Sequence, residues 1–190
     1  MNRISAKFKE LKKRRKKALI AFITAGDPSL SATEKLVFAF ERCGVDIVEL
    51  GVPFSDPIAD GPTIQASSQR ALTKGTNLKG ILNCVKRIRK ASQIPIALMT
   101  YYNPVFHLGE KNFVRLARQS GVDGVMIPDL PPEEARTLIK EARKNNLATV
   151  FFVAPTTTKE RVKNIVSAST GFIYYVSLTG VIVYLMLYIF

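Results

Sequence analysis

Residues 46–62 read DIVELGVPFSDPIADGP, a buried strand followed by the loop that leaves it. Asp46 to Val52 is a short β-type run. It is apolar on both faces apart from Glu49, as strands of covered parallel sheets are. Pro53 to Pro62 is dense in turn residues. A carboxyl at the end of an apolar strand is partly desolvated, which raises its pKa and suits it to general acid–base work. A strand-end Glu turned to solvent is the competing reading. Asp56 and Asp60 follow in the loop, where an aspartate either faces the strand-end mouth or caps a turn.

Outward from this stretch the pattern repeats. Ala18 to Thr24 is an apolar run stopped by Gly26-Asp27-Pro28, and Ser31 to Cys43 has helical apolar spacing through Leu36, Phe38, Phe40 and Cys43. Residues 63–91 read as mainly helical. Pro95 to Tyr101 reads as a strand stopped by Asn103-Pro104, and Lys111 to Gln119 as a helix. Gly124 to Ile127 is a strand closed by Pro128-Asp129-Leu130-Pro131-Pro132. Glu133 to Lys144 is a helix with Glu133 and Glu134 in its first turn, where acidic side chains suit the dipole. Ala148 to Val153, Lys159 to Ser167 and Gly171 to Val176 complete a βαβα order with units of roughly thirty residues. Parallel strands with covering helices follow, either as a doubly wound sheet or as part of a (β/α)8 barrel. No GxGxxG follows the first strand, which counts against a dinucleotide fold.

The 190 residues suit one domain, and a hydrophobic fraction of 47% supplies a sizeable core. Lys and Arg number 28 against 15 Asp and Glu, a net charge of +13, partly from the run Lys7 to Lys17. No zinc-finger spacing, RNA-binding aromatic signature or basic leucine-zipper pattern accompanies the charge, so it reads as a Lys-rich solvated face and no nucleic-acid partner is expected. Cys43 and Cys84 stand alone, as in a reduced cytoplasmic protein, and His107 is the single histidine. Ile4, Phe8 and Leu11 give residues 1–17 the spacing of an amphipathic helix that covers one end of the fold. Residues 18–180 form the main body. Phe172 to Phe190 carries no charge and is long enough to span a bilayer, but its first half reads as a buried strand, which is preferred. Residues 181–190 read as an aberrant apolar tail.

In either α/β layout chemistry gathers at the carboxyl ends of strands. There the sequence places Glu49, Asp60, Tyr101, Tyr102, Asp129 and the pair Tyr174-Tyr175, of which only one faces inward. Aromatic residues at several strand ends suit a flat apolar substrate.

The stretches AFITAGDPS, VDIVELGVPFSDPIADGPTIQASSQRAL, PIALMTYYNPVF, GVDGVMIPDLPPEE, VFFVAPTTTKER and GFIYYVS resemble the tryptophan synthase α subunit family, from about Ala18 to Gly180. The resemblance implies a (β/α)8 TIM barrel, incomplete here, with about six βα units and the last two missing. It implies a cytoplasmic lyase of tryptophan biosynthesis that cleaves indole-3-glycerol phosphate to indole and glyceraldehyde 3-phosphate by a retro-aldol step. Glu49 matches the acid–base carboxylate, and Asp60 the carboxylate that holds the indole N–H. Phe22, Met99, Tyr101, Phe152 and Tyr174 match the indole pocket. The loop Pro53 to Asp60 matches the one that contacts a β subunit in an α2β2 heterotetramer. No cofactor or metal is implied for this chain; pyridoxal phosphate belongs to the partner. Leu178, Ile182 and Val183 depart from the family's Arg, Thr and Gly in the closing loop. On that account the 190-residue form is expected to have negligible lyase activity. The alternatives are a non-catalytic remnant or a membrane-tethered protein.

Overall fold

The computed structural model describes residues 2–177 and the backbone of residues 187–189. Leu178, Ile182 and Val183, and the 181–190 tail apart from the backbone of residues 187–189, lie outside the described residues.

Among the described residues eight helices and eight strands largely alternate. The strands are β1 (Ala18–Thr24), β2 (Ile47–Gly51), β3 (Ile96–Met99), β4 (Gly124–Met126), β5 (Ala148–Val150), β6 (Phe152–Val153), β7 (Tyr174–Tyr175) and β8 (Leu187–Ile189). The helices are α1 (Arg3–Lys13), α2 (Leu30–Arg42), α3 (Pro62–Thr73), α4 (Leu78–Ile88), α5 (Tyr102–Leu108), α6 (Glu110–Ser120), α7 (Arg136–Lys144) and α8 (Lys159–Ala168). Strands β5-β4-β3-β2-β1 are neighbours in that order and all parallel. β6 pairs in parallel with β7, and the Phe151 carbonyl between β5 and β6 accepts the Tyr174 N–H at 3.0 Å, so the arc continues past the break. On the other side of β1, the backbone of Leu187–Ile189 runs antiparallel to Ala18–Ile20.

Alternation along each strand divides the apolar residues into two cores. Val48, Leu50, Ile96, Leu98 and Val125 pack outward against α2, α4, α6 and α7. Ile20, Ile47, Ala97, Met99, Met126, Val150 and Tyr174 point to the barrel interior. α1 lies across the amino-terminal ends of the strands. Its Ile4 and Leu11 belong to the interior core, and a Cβ on Gly124 of β4 would sit 2.8 Å from the Ile4 methyl. Full burial of a side chain the size of Ile4 contributes about 1.5–3 kcal/mol. Asn2 caps the helix by accepting the Ile4 N–H, while its amide donates to the carbonyls of Asp123 (2.6 Å) and Asn146 (2.9 Å) below β4 and β5.

The element boundaries differ from the sequence reading in three places, while the strand preferred over a membrane span at residues 171–176 is found. Residues 63–91 form two helices, because Gly75 takes φ +74 and Asn77 caps a new helix by accepting the Gly80 N–H. α5 fills a stretch read as a stop: Pro104 stands in the helix's first turn, where a missing N–H leaves no bond unmade. Glu133 and Glu134 precede α7 instead of opening it, since Glu134 and Ala135 turn back onto the Pro131 carbonyl. Tyr174–Tyr175 is a strand, not part of an apolar membrane helix, and no helix of the described residues is long and apolar enough to cross a membrane.

Candidate active site at the carboxyl ends of the strands

β2 delivers Glu49 to the interior. Its neighbours Val48 and Leu50 point outward into the helix layer, so alternation turns Glu49 inward. It is 2% exposed, and its Oε1 is the one buried side-chain oxygen or nitrogen among the described residues without a hydrogen-bond partner. Burial pushes its pKa up to about 8. An orphaned buried carboxyl lowers stability and calls for an explanation, and a carboxyl held protonated near neutrality is what proton donation requires. Across the strands Glu49 lies between Phe22 of β1 and Ala97 of β3. Tyr174 approaches from β7: burial first, and the Glu49 charge second, raise the pKa of its hydroxyl.

Asp60 reaches the same end of the barrel by another route. It closes the loop after β2, just before Gly61 caps α3 and Pro62 begins it. Gln65 of α3 donates to its backbone carbonyl at 2.8 Å. Asp60 is 8% exposed; desolvation raises its pKa and the nearby Tyr101 hydroxyl pulls it back. Thus the strand carboxyl has no polar group against it and the loop carboxyl has one nearby, which separates their protonation behaviour.

Phe22, Met99, Tyr101 and Asp60 line one narrow cleft with Thr24 and Gly51, of about 10 Å³, near the room one water needs. Phe152 and Tyr174 form a tilted ring pair 4.9 Å apart in the same interior core. Tyr174 is buried at 1% and Tyr175 is 48% exposed, so alternation sends the first inward. The structure brings all seven candidate residues to the barrel interior or its carboxyl-end rim. Asp129 instead accepts the Tyr102 N–H at 2.9 Å and ties β3's end to the loop after β4. Asp56 bonds Ser55 within its own loop. Sequence reasoning did not single out Thr24, whose hydroxyl pairs with Ser67 of α3 at 2.6 Å; its place at the end of β1 was the available signal.

A larger groove of about 810 Å³ opens at the opposite end, between α1 and the segment before β7. Phe8, Leu11 and Phe172 form its apolar wall, and Lys12, Arg15 and Lys16 its charged one. It holds no carboxylate and lies away from the strands' carboxyl ends, so the smaller cleft is the better candidate despite its volume. Among the described residues no three His, Cys, Asp or Glu converge as a metal site would require.

Comparison with known proteins agrees with this geometry. Residues 8–184 match the family model described as tryptophan synthase alpha chain. The tryptophan synthase alpha chain of Geotalea daltonii is 54% identical over 181 residues, covering 95% of this chain and 69% of its own length. That of Caldanaerobacter subterraneus shows the same 54% identity and coverage. The crystal structure of the Legionella pneumophila alpha subunit superposes with a TM-score of 0.91 at 41% identity, over 93% of this chain and 68% of that one. The tryptophan synthase a2b2 complex of Pyrococcus furiosus gives 0.80 at 46% identity, over 83% and 67%. With sequence and fold in agreement along almost its whole length, the chain belongs to the tryptophan synthase alpha chain family.

Proposed function

We propose that the cleft cleaves indole-3-glycerol phosphate to indole and glyceraldehyde 3-phosphate, with Glu49 as the acid–base group. The supporting observation is the protonated, unpartnered Glu49 facing the interior beside an aromatic lining. In the forward direction neutral Glu49 gives its proton to C3 of the indole ring, leaving a cationic ring and a carboxylate. That carboxylate takes the proton of the glycerol hydroxyl next to the scissile bond. The C–C electrons return to the ring, the hydroxyl carbon becomes the aldehyde, and Glu49 is again protonated. Asp60 accepts the indole N–H and stabilises the positive charge while it exists. Phe22, Met99, Tyr101, Phe152 and Tyr174 hold the ring in a site that excludes water. Every step is a proton transfer or a C–C cleavage, so the reaction runs without a cofactor of this chain's own; pyridoxal phosphate serves the β-subunit partner.

The loop Pro53 to Asp60 is the surface proposed to meet that β subunit. It stands at the mouth, and its Ile58 is 75% exposed. A cytoplasmic location follows from the pathway and from two free cysteines.

Indole release from indole-3-glycerol phosphate, measured with a β subunit on a version extended to the length of the relatives, tests the reading. Glu49→Gln keeps the volume but cannot return a proton, and turnover should fall below a tenth of the parent's. Retention above that removes Glu49 from the role. A parent that releases no indole returns the chain to the non-catalytic reading.

A further inference from the structure

Three arginines converge on one buried carboxylate at the floor of the barrel. Asp123 immediately precedes β4 and is fully buried. Its Oδ2 accepts from Arg89 at 2.8 Å and from the Ile96 N–H at 3.1 Å. Its Oδ1 meets Nη1 of Arg3 at 3.0 Å and Nη1 of Arg118 at 3.5 Å. Those two nitrogens therefore stand at most about 6.5 Å apart, the two distances laid end to end. That is inside the screening length of about 8 Å at physiological salt, so the two cations repel. Arg3 opens α1 and Arg118 lies in the last turn of α6. The donors are unevenly used. Arg89 is spent: Nε donates to the Gly121 carbonyl, Nη1 to those of Ser92 and Ile94, and Nη2 to Asp123. Arg3 donates through Nε to Gln93 and through Nη1 to Asp123. Arg118 donates through Nε to the Asn145 carbonyl and through Nη1 to that of Val122. Among the described residues Nη2 of Arg3 and Nη2 of Arg118 have no acceptor. Both side chains are part-exposed, so solvent and solutes reach them.

We propose that Arg3 and Arg118 form a binding site for a doubly charged oxyanion, phosphate free or as a monoester, which bridges the start of α1 to the end of α6. A guanidinium presents its donors as a planar fork that matches phosphate oxygens. Each Nη2 carries two unused N–H groups. Charge-assisted bonds of about 2.8 Å to two oxygens of one ion reach across a gap of this size. The ion supplies the negative charge that Asp123 cannot, because one carboxylate faces three guanidiniums. Crowding of the cations shows in Arg89 too: burial first, and the charges of Arg3 and Arg118 with it, push its pKa down. Glu41 of α2 acts on Arg89 through space without forming an ion pair. The site lies under the amino-terminal ends of the strands, away from the Glu49 cleft, and does not depend on the proposed function. Its occupant ties α1 to the floor of the barrel. A purely structural clamp would respond to phosphate no differently from a variant that lacks the fork.

The test titrates the chain with inorganic phosphate against chloride at equal ionic strength and pH. In arginine-selective NMR the Nε signals of Arg3 and Arg118 should shift together and saturate with one constant. The urea midpoint should rise as well. Phosphate also favours folding generally by its exclusion from protein surfaces, so the deciding part of that rise is the part lost in Arg3→Gln. Arg3→Gln should weaken phosphate binding roughly tenfold or more, and Arg3→Lys, which keeps the charge without the fork, should fall between it and the parent. Lys13→Gln removes an equal charge from the exposed far end of α1 and should bind as the parent does. Glycerol phosphate in place of phosphate separates the sources: an equal shift at both arginines assigns the site to monoesters as well, and no shift assigns it to the free ion. Absence of a saturable phosphate shift at either arginine overturns the proposal. Equal weakening by Lys13→Gln and Arg3→Gln overturns it too, because the chain's general positive charge would then account for the binding. Should Arg3→Gln not fold, Arg3→Lys decides: binding as tight as the parent's removes the fork from the site.

Discussion

Phe22 of β1 and Glu49 of β2 are directly opposed across the parallel ladder, so an aromatic residue stands one strand away from the acid–base candidate. Gly51, two residues further along β2, makes room for that ring: a Cβ there would meet the Phe22 Cζ at 2.6 Å. Burial removes water from Glu49, and water's absence keeps the carboxyl protonated toward pH 8.

Stability should therefore depend on pH through Glu49. Its folded pKa, about 8, lies above the ordinary 4.5, so between those values the native state binds the extra proton and the unfolded state does not. The stability this group supplies is whole below about pH 4.5 and is lost as pH rises toward 8. At about 1.4 kcal/mol per unit the loss is on the order of 5 kcal/mol at most. Glu49→Gln cannot ionise, and its urea midpoint should gain on the parent's steadily from pH 5 to pH 8. A constant difference over that range would show that Glu49 is ionised in the folded chain.

Gly51→Ala should destabilise by about 1–3 kcal/mol, the usual cost of overpacking. The Phe22 ring must leave its place beside Gly51, so Phe22→Leu in the same chain should recover most of the loss. Urea unfolding of the two single variants and the double one gives the coupling. Additive effects would mean that the ring and the missing Cβ do not compete.

Much of this was legible in sequence. DIVEL announces a strand buried on both faces, and a Glu in it at the strand's end is conspicuous by its cost. Asp60 was legible only as a loop residue, because its burial comes from α3 and Tyr101 folding over it. α5 was illegible: Asn103-Pro104 signals a stop, and only Pro104's place in the first turn reconciles it with a helix. The break at Lys74–Asn77 was written in Gly75 and Asn77 but masked by the apolar spacing on both sides. Asp123 escaped notice altogether, since nothing local distinguishes GVDG from a turn; its partners Ile96, Arg89 and Arg3 lie 27, 34 and 120 residues away.

Asn2 joins α1 to the barrel floor, and two substitutions separate its duties. Asn2→Ala loses the cap and both donated bonds, and about 2–3 kcal/mol of stability with them. Asn2→Asp still accepts the Ile4 N–H but leaves the Asp123 and Asn146 carbonyls without their donor, and should fall between parent and Ala. Chemical denaturation of the three chains checks the order. Equal losses from both variants would assign the whole effect to the donated bonds.

Asp123 should be the most sensitive polar position outside the cleft. Its carboxylate is fully buried before β4, accepts the Ile96 N–H at 3.1 Å, and meets Arg89 at 2.8 Å, Arg3 at 3.0 Å and Arg118 at 3.5 Å. Arg89 is the committed partner: its side chain is 10% exposed, and burial pushes its pKa down to about 10 against the pull of Asp123. Arg3 and Arg118, at 34% and 24%, can turn to water. Asp123→Ala strands Arg89's charge in a dry site and frees the Ile96 N–H, a loss of about 3–5 kcal/mol. Asp123→Asn keeps an acceptor for Ile96 but no charge, and should cost less. Adding Arg89→Met to Asp123→Ala removes the stranded cation and should restore more than about 1 kcal/mol, whereas adding Arg3→Met should restore little. Unfolding midpoints of these chains decide it. Equal recovery from Arg3→Met and Arg89→Met would show that burial of the cation is not what makes the loss large.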